Sequence, residues 1–192
     1  MYRAITLGVL RQAIDVNSRE DVEAFAKHAE LVVHDSGNGN SIHLNGVDVT
    51  EAIRSPAVTN SVSVVSSYEA VRVVMVREQR KLAAGGGIVL EGRDIGSVVL
   101  PQAELKVFMV ANVGERARRR KKELDAAGIE VPERDVVNEI EERDRKDSTR
   151  PVSPLRKAPD AIELDTTNLA IEEQVDFIVK RAIEVINSGS RG

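Results

Sequence analysis

Apolar residues recur at helical spacing through the first part of the chain. Residues 2–14 carry apolar side chains three and four positions apart, and residues 18–28 carry a second pattern of the same kind. Glu20 and Asp21 fall in the first turn of the second segment, where negative charge suits the helix dipole. The pattern predicts two helices, the first of which opens the sequence without a strand or turn before it.

The pattern changes to short segments after residue 28. Glu30–His34 and Ser41–Leu44 have the composition of strands, and the turn-rich sequence DSGNGN separates them. Asn45 and Gly46 supply a further tight turn. We therefore predict a small antiparallel β-sheet over residues 29–50.

Helices and short apolar strands alternate over the remainder of the chain. The predicted helices are residues 51–83, in two parts broken near Pro56 and Ser66–Ser67, residues 114–127, residues 134–149 and a last helix with an apolar stripe from Ile171 to Ile186. The predicted strands are Ile88–Leu90, Leu105–Val110 and Ala161–Leu164. Buried strands that alternate with helices indicate an α/β fold with a parallel sheet and crossover connections. The closing residues 188–192, SGSRG, are expected to be disordered.

Composition narrows the class of protein. The 192 residues suit one domain, and with 3% aromatic residues the core must come from Val, Ile, Leu and Ala. The absence of cysteine excludes disulfides and thiolate metal sites. No apolar run approaches the roughly 20 residues of a membrane span, and the first residues lack the pattern of a signal peptide, so we expect a cytoplasmic protein. The net charge of −4 argues against nucleic acid as the default partner.

A charged pair follows the apolar run that ends at Leu90. Arg93 and Asp94 lie within the sequence IVLEGRD, directly after a predicted strand. In open α/β sheets, ligands bind at the carboxyl ends of the strands, so this pair is placed to touch a substrate. An ion pair within a loop is an equally good interpretation at this point.

A second group of charges lies at the end of the helix predicted over residues 134–149. Arg143, Asp147 and Arg150 are spaced by four and three, which puts them on one helix face, and Pro151 ends the helix at residue 150. Two guanidinium groups and a carboxylate in a line can bind phosphate and sugar hydroxyls. A solvated helix face with internal ion pairs is the simpler alternative and, without other information, the better one.

Basic residues are concentrated in one run, which consists of Arg116, Arg118, Arg119, Arg120, Lys121 and Lys122. The run is compatible with a mobile cover that brings arginines onto nucleotide phosphates, with a nucleic-acid-binding face, or with an outer helix face. Another set of arginines lies on the helix before the glycine run. Arg72 and Arg80 share a face there, and surface salt bridges are the simpler interpretation for Arg77 and Arg80. The three histidines, His28, His34 and His43, have no metal-ligand spacing, and we assign them no chemistry.

The arginine clusters around a parallel sheet suggest phosphoryl transfer, which depends on positioning and charge neutralisation. Such proteins usually hold phosphate in a loop of the form G-x-x-x-x-G-K-[ST] between a strand and a helix. The printed sequence has no such loop, since Gly85–Gly87 precedes a predicted strand and Gly37 and Gly39 lie in a hairpin turn.

Several separate segments of the chain resemble bacterial cytidylate kinase, in the order and at the spacing of that family. They are MYRAITL, NGVDVTEAIRSPAVTNSVSVVS, VREQRKLA, IVLEGRDIGSVVLP, ERARRRKKEL, EIEERDRKDSTRPVSPLRKAPDAIELDTTNL and IEEQVDFIV. The resemblance covers residues 1 to about 187. It implies a nucleoside-monophosphate-kinase-like parallel sheet flanked by helices, with a small antiparallel insert and a helical lid.

The resemblance implies where this chain would bind a monophosphate and a base. Arg3 and Arg93 match the arginines that hold the monophosphate of CMP, and Tyr2 matches a tyrosine of the same pocket. The residues that match the family's cytosine-binding positions are Ser63, Arg72 and Asp94, with Arg150 completing the pocket. A carboxylate there would accept a hydrogen bond from the cytosine amino group, which uracil lacks.

Further positions are implied to act on the sugar and on the transferring phosphate. Asp147 would accept hydrogen bonds from the sugar hydroxyls and Arg143 would lie over the transferring phosphate, while Arg116, Arg119 and Arg120 would belong to a lid helix near ATP. Among these, Arg93, Arg143 and Arg119 would be catalytic. The implied substrates are CMP, dCMP and ATP, with Mg²⁺ accompanying ATP. The protein is expected to be a monomer.

The resemblance also implies a domain organisation. It gives one kinase domain over residues 1–187, with a core of residues 1–28, 84–113 and 158–187, a monophosphate-binding insert at 29–83 and a lid at 114–157. In the family, the MYRA motif follows the phosphate-binding loop, the first helix and a strand. We therefore expect the first strand and loop to be missing, and the 192-residue chain alone to fold poorly and to lack kinase activity. The alternatives are an inactive CMP-binding protein and, more remotely, a nucleic-acid-binding module that uses residues 116–122.

Overall fold

A computed structural model describes residues 1–35 and 39–189 of the chain. They fall into two compact units, one within Met1–Val89 and one within Leu90–Gly192.

The first unit combines helices with a small antiparallel sheet. Its elements are α1 (Tyr2–Arg11), α2 (Arg19–His28), β1 (Leu31–Asp35), β2 (Asn40–Leu44), β3 (Val47–Asp48), a 3₁₀ turn (Ala52–Arg54), α3 (Pro56–Val65) and α4 (Glu69–Ala83). Strands β1, β2 and β3 pair in chain order, with Val33 opposite Ile42. The predicted helices, the antiparallel sheet and the two helical breaks in residues 51–83 are therefore confirmed.

The core of the first unit is built around α1. Ala4, Ile5 and Val9 are fully buried against residues of α2, α3 and α4. Gly8 lies so close to α2 and β2 that a Cβ atom at this position would stand 2.3 Å from Phe25 Cζ and 2.8 Å from Leu44 Cδ2. The close packing of α1 against its neighbours therefore requires a residue without a side chain at position 8.

The second unit contains a parallel strand pair and longer helices. Its elements are a π-helix (Ile95–Val99), β4 (Val107–Val110), α5 (Val113–Ala126), α6 (Glu133–Thr149), β5 (Ile162–Asp165) and α7 (Ile171–Gly189). Strands β4 and β5 are parallel, with Met109 opposite Leu164. The side chain of Asn112 caps α5 by accepting a 2.7 Å hydrogen bond from the amide of Glu115. The α/β class and the parallel pairing are confirmed.

One predicted strand is wrong. Residues 88–90 form no strand in the described part of the chain, and Val89 is 92% exposed. A short apolar run becomes a strand only where a neighbouring strand pairs with its backbone, and apolar composition alone does not supply that partner. The division between the two units falls within this segment.

Helix α7 keeps an apolar stripe that is partly exposed. Val175, Val179 and Ile183 are each about half exposed, at 50–51%, and Ile171 is 73% exposed. The helix continues to Gly189, and residues 190–192 of the expected disordered tail lie outside the described residues. Within the described ranges, no helix has the length and apolar character needed to cross a bilayer.

Candidate functional site

Three arginines surround one carboxylate in the second unit. The Asp147 side chain is 8% exposed, and its Oδ1 lies 3.4 Å from Nη1 of Arg150. Its Oδ2 lies 3.4 Å from Nε of Arg93 and 3.9 Å from Nε of Arg143. The helical spacing predicted that residues 143, 147 and 150 share a face, and the structure confirms it.

A second buried carboxylate joins this group. Oδ1 of Asp94 lies 3.9 Å from Nη2 of Arg150, and the two side chains are 5% and 7% exposed. The main-chain carbonyl of Asp94 accepts hydrogen bonds from the amides of Val98 and Val99, which fixes Asp94 at the start of the π-helix. Arg150 also donates from Nε to the carbonyl of Ser153, at 2.6 Å. The loop after residue 90 and the end of α6 therefore supply one charge cluster.

The cluster, formed by Arg93, Asp94, Arg143, Asp147 and Arg150, has one more arginine than carboxylates. Its interior members are largely removed from water, so they interact more strongly than surface charges do. The excess of guanidinium favours an anionic ligand, and the carboxylates can accept hydrogen bonds from hydroxyl or amino groups. This combination suits a phosphorylated molecule that also carries such donors.

The first unit contains a buried arginine, Arg72. Arg72 is 2% exposed, its guanidinium lies 5.2 Å from the centre of the Tyr2 ring, and its Nη1 donates to the carbonyl of Ser66 at 3.0 Å. The hydroxyl of Ser66 in turn donates to the carbonyl of Ser63. Tyr2, Arg72 and Ser63 are therefore connected through the turn between α3 and α4.

Arg3 is held on the same side of α1 as the 3₁₀ turn and α3. Its Nη1 donates to the carbonyl of Ile53 and to Oγ1 of Thr59, each at 3.0 Å. The structure thus ties the guanidinium of Arg3 to two segments distant in sequence.

The basic run on α5 is largely paired with acids. Arg118 and Arg119 both bind Glu115, at 2.7 Å, while Arg120 pairs with Glu123 and Lys121 with Asp125. These pairs hold the pKa of Glu115 at about 2, below its ordinary 4.5, chiefly because Arg118 hydrogen-bonds to it. The spacing of three and four between these residues is that of an outer helix face, which disfavours a nucleic-acid interface.

Two arginines of α5 also reach beyond their own helix. Arg116 binds Oδ2 of Asp144 on α6 at 2.5 Å. Arg119 donates to the carbonyl of Thr166, the residue after β5, at 2.5 Å. Two of the three arginines implied to serve a lid are thus engaged with α6 and with the residue after β5 in this structure.

A buried lysine anchors the segment that follows Asp94. Lys106 is 9% exposed, and its Nζ lies 2.5 Å from both the carbonyl of Pro101 and Oδ2 of Asp160. The hydrogen bond from Lys106 lowers the pKa of the Asp160 carboxyl. The aliphatic part of Lys106 packs on Gly96, where a Cβ would meet it at 3.3 Å. Lys106 thereby secures the π-helix against the sheet.

Several of these partners were not predicted from the sequence. Glu115 could have been found, because it stands three and four residues before Arg118 and Arg119 on a helix. Thr59 and Thr166 carried no signal, since their contacts join residues about 50 positions apart.

Side chains that commonly bind metal ions are not clustered in the described part of the chain. Among residues 1–35 and 39–189 there is no group of three or more histidine, aspartate or glutamate side chains that could hold an ion. Mg²⁺ that accompanies a nucleotide is usually held by one or two carboxylates, phosphate oxygens and water, so this observation does not bear on it.

Comparisons with known proteins show the family of this chain. The family model of cytidylate kinase matches residues 1–184. The chain is 46% identical to the cytidylate kinase of Bacillus pumilus over 185 residues, which is 96% of this chain and 82% of the relative. It is 44% identical to that of Bacillus subtilis, with 94% and 80% covered, and 48% identical to that of Bacillus thuringiensis, with 93% and 80% covered. The chain belongs to the cytidylate kinase family.

The matches bear on the expected missing segment. They extend over nearly the whole of this chain and do not bear out the expectation that a first strand and a phosphate-binding loop are missing. The related expectation of an inactive fragment is likewise not shown.

Proposed function

We propose that this chain takes part in transferring the γ-phosphoryl group of ATP to CMP or dCMP, giving CDP or dCDP and ADP. The observation that carries the proposal is the cluster in which Arg93, Arg143 and Arg150 surround the buried carboxylate of Asp147, beside the buried carboxylate of Asp94. Membership in the cytidylate kinase family supports it.

Residues of the first unit would bind parts of the acceptor. Arg3 would hold the monophosphate near Tyr2, while Ser63 and Arg72 would contact cytosine. The burial of Arg72 and the fixed orientation of Arg3 support these roles, because preformed donors lose little freedom when a ligand binds.

We assign further roles, in recognition and in stabilising the transfer, to residues of the second unit. Asp94 and Arg150 would contact cytosine, Asp147 would accept from the sugar hydroxyls, and Arg93 would hold the monophosphate. Arg143 and, from the lid helix, Arg119 would neutralise charge on the phosphoryl group. Arg116 and Arg120 would lie near ATP.

The reaction needs little from the protein beyond positioning and charge. An oxygen of the CMP phosphate forms a bond to the γ-phosphorus of ATP, and the bond between that phosphorus and the β-bridging oxygen breaks, so ADP leaves with the electron pair. Guanidinium groups that neutralise the oxygens during this exchange lower the barrier.

A coupled assay of ADP release with CMP, dCMP and UMP as acceptors tests the proposal. We expect turnover with CMP and dCMP and much less with UMP. Calorimetry with CMP, in the presence and absence of ATP, separates the proposal from its alternative. CMP binding without turnover and without an effect of ATP would favour a CMP-binding protein. Absence of CMP binding would refute both.

A further inference from the structure

Thr59 on α3 contacts the guanidinium of Arg3 on α1. Nη1 of Arg3 lies 3.0 Å from Oγ1 of Thr59, although the two residues are 56 positions apart in the chain. The same hydroxyl lies 3.1 Å from the carbonyl of Ser55, one helical turn earlier. Neither the sequence pattern nor the family resemblance singles out Thr59.

The direction of these hydrogen bonds is determined by chemistry. A hydroxyl has a single hydrogen, and a carbonyl can only accept, so Thr59 donates to Ser55. An arginine can only donate, so the oxygen of Thr59 must accept from Arg3. The bond to Ser55 thus orients the lone pairs of Thr59 toward the guanidinium.

The second acceptor of the same nitrogen is the carbonyl of Ile53, also at 3.0 Å. Ile53 belongs to the 3₁₀ turn before α3, and it is a buried core residue, so this carbonyl is fixed in place. Two fixed acceptors on one nitrogen set both the plane and the direction of a guanidinium fork.

We infer that Thr59 is a positioning residue that presents the guanidinium of Arg3 to the phosphate of a nucleoside monophosphate. The inference rests on the proposed function, in which Arg3 holds the monophosphate of CMP. Without the hydroxyl, Nη1 of Arg3 loses one of two acceptors that orient it, and more of the ordering of the guanidinium falls to the ligand. The cost of ordering one long side chain corresponds to a loss of affinity of about three- to tenfold.

The binding of CMP and of cytidine distinguishes positioning from a general structural role. Cytidine has the base and the sugar but no phosphate, so a residue that acts through Arg3 on the phosphate affects only CMP. A residue that merely holds α3 against α1 would affect both ligands and the stability of the free protein.

The experiment measures binding to the 192-residue chain by calorimetry. CMP binding is titrated directly, and cytidine binding is measured by its displacement of CMP. Thr59→Val keeps the shape and removes the acceptor, Thr59→Ser keeps the acceptor, and Arg3→Met removes the guanidinium. We expect Thr59→Val to weaken CMP binding about three- to tenfold while cytidine binding changes less than about twofold, and Thr59→Ser to bind CMP as the wild type does. Thr59→Ala replaces the valine variant if that variant does not fold.

Each other result is decisive. If Arg3→Met weakens CMP binding and Thr59→Val does not, the positioning role is wrong while the proposed function stands. An equal loss for CMP and cytidine in Thr59→Val would show a structural role only. If Arg3→Met has no effect, or the wild type does not bind CMP, the proposed function fails and the inference fails with it.

Discussion

Asp94 and Arg150 face each other across 3.9 Å in the second unit, with less than a tenth of either side chain exposed. Arg150 also lies 3.4 Å from Asp147, so one guanidinium serves two buried carboxylates. Burial of this kind costs free energy of solvation, and the pairing compensates for it only while all partners are present.

Replacing Arg150 is therefore expected to destabilise the protein. Arg150→Met would leave Asp94 and Asp147 with less compensating charge and lower the free energy of unfolding by about 3–5 kcal/mol. Urea unfolding followed by circular dichroism measures the change. The control is Arg145→Met on α6, the helix that ends just before Arg150. It removes an exposed pair with Glu142 and should change stability little. Equal effects of the two variants would contradict the buried character of the cluster.

The close approach at Gly8 makes a second prediction about stability. Gly8→Ala would place a methyl group within 2.3 Å of the Phe25 ring, and we expect a loss of about 1–3 kcal/mol despite the better helix propensity of alanine. Gly114→Ala on α5 is the matched control, since the nearest atom would be 3.6 Å away. That variant should be neutral or more stable. Thermal unfolding of both proteins decides the matter, and a stabilised Gly8→Ala would show that α1 is not packed as described.

Glu115 should respond to pH in a defined window. Its pKa in the folded protein is about 2 against an ordinary value of 4.5, so the folded state binds the proton less readily than the unfolded state. The stability from its pairs is therefore fully present above 4.5 and is lost as the pH falls from 4.5 toward 2. An NMR titration of the side-chain carboxyl measures the midpoint directly.

Glu115→Gln provides the control for that titration. The glutamine cannot ionise, so the contribution of this residue to the pH dependence of unfolding below pH 4.5 should disappear. A midpoint near 4.5 in the wild type would show that Arg118 and Arg119 do not pair with Glu115 in solution.

Base selectivity should depend on Asp94 if the proposed function is correct. A carboxylate accepts a hydrogen bond from the amino group of cytosine. Uracil carries an oxygen in place of that amino group, and the amide of Asp94→Asn can also donate a hydrogen bond to this oxygen. We expect the ratio of CMP to UMP affinity to fall by at least about tenfold. Calorimetry with both nucleotides measures the ratio, and Asp160→Asn serves as a control, because Asp160 is 65% exposed and pairs with Lys106 instead. An unchanged ratio in Asp94→Asn would remove Asp94 from base recognition.

Much of the fold follows from local sequence pattern. Helix α2 and the β1–β2 hairpin were predicted to within a residue or two, because periodicity and turn composition are local properties. The same holds for the face shared by Arg143 and Asp147 on α6, which depends on helical geometry alone.

Other features depend on partners that a pattern does not reveal. Residues 88–90 are apolar but have no neighbouring strand in the described chain, and the π-helix at Ile95–Val99 is secured by Lys106, which packs on it from ten residues away. The contact between Arg3 and Thr59 joins segments 56 residues apart. Such contacts arise from tertiary packing, which overrides local preference.

The ion pairs along α5 also affect what the molecule presents to its surroundings at a distance. Because Glu115, Glu123 and Asp125 stand within hydrogen-bonding reach of the neighbouring cations, much of the positive potential of the run is cancelled close to the helix. A field of alternating neighbouring charges decays faster than that of a cationic patch, and salt shortens it further. The helix should consequently contribute little to the diffusional capture of anions and should act only on groups already beside it.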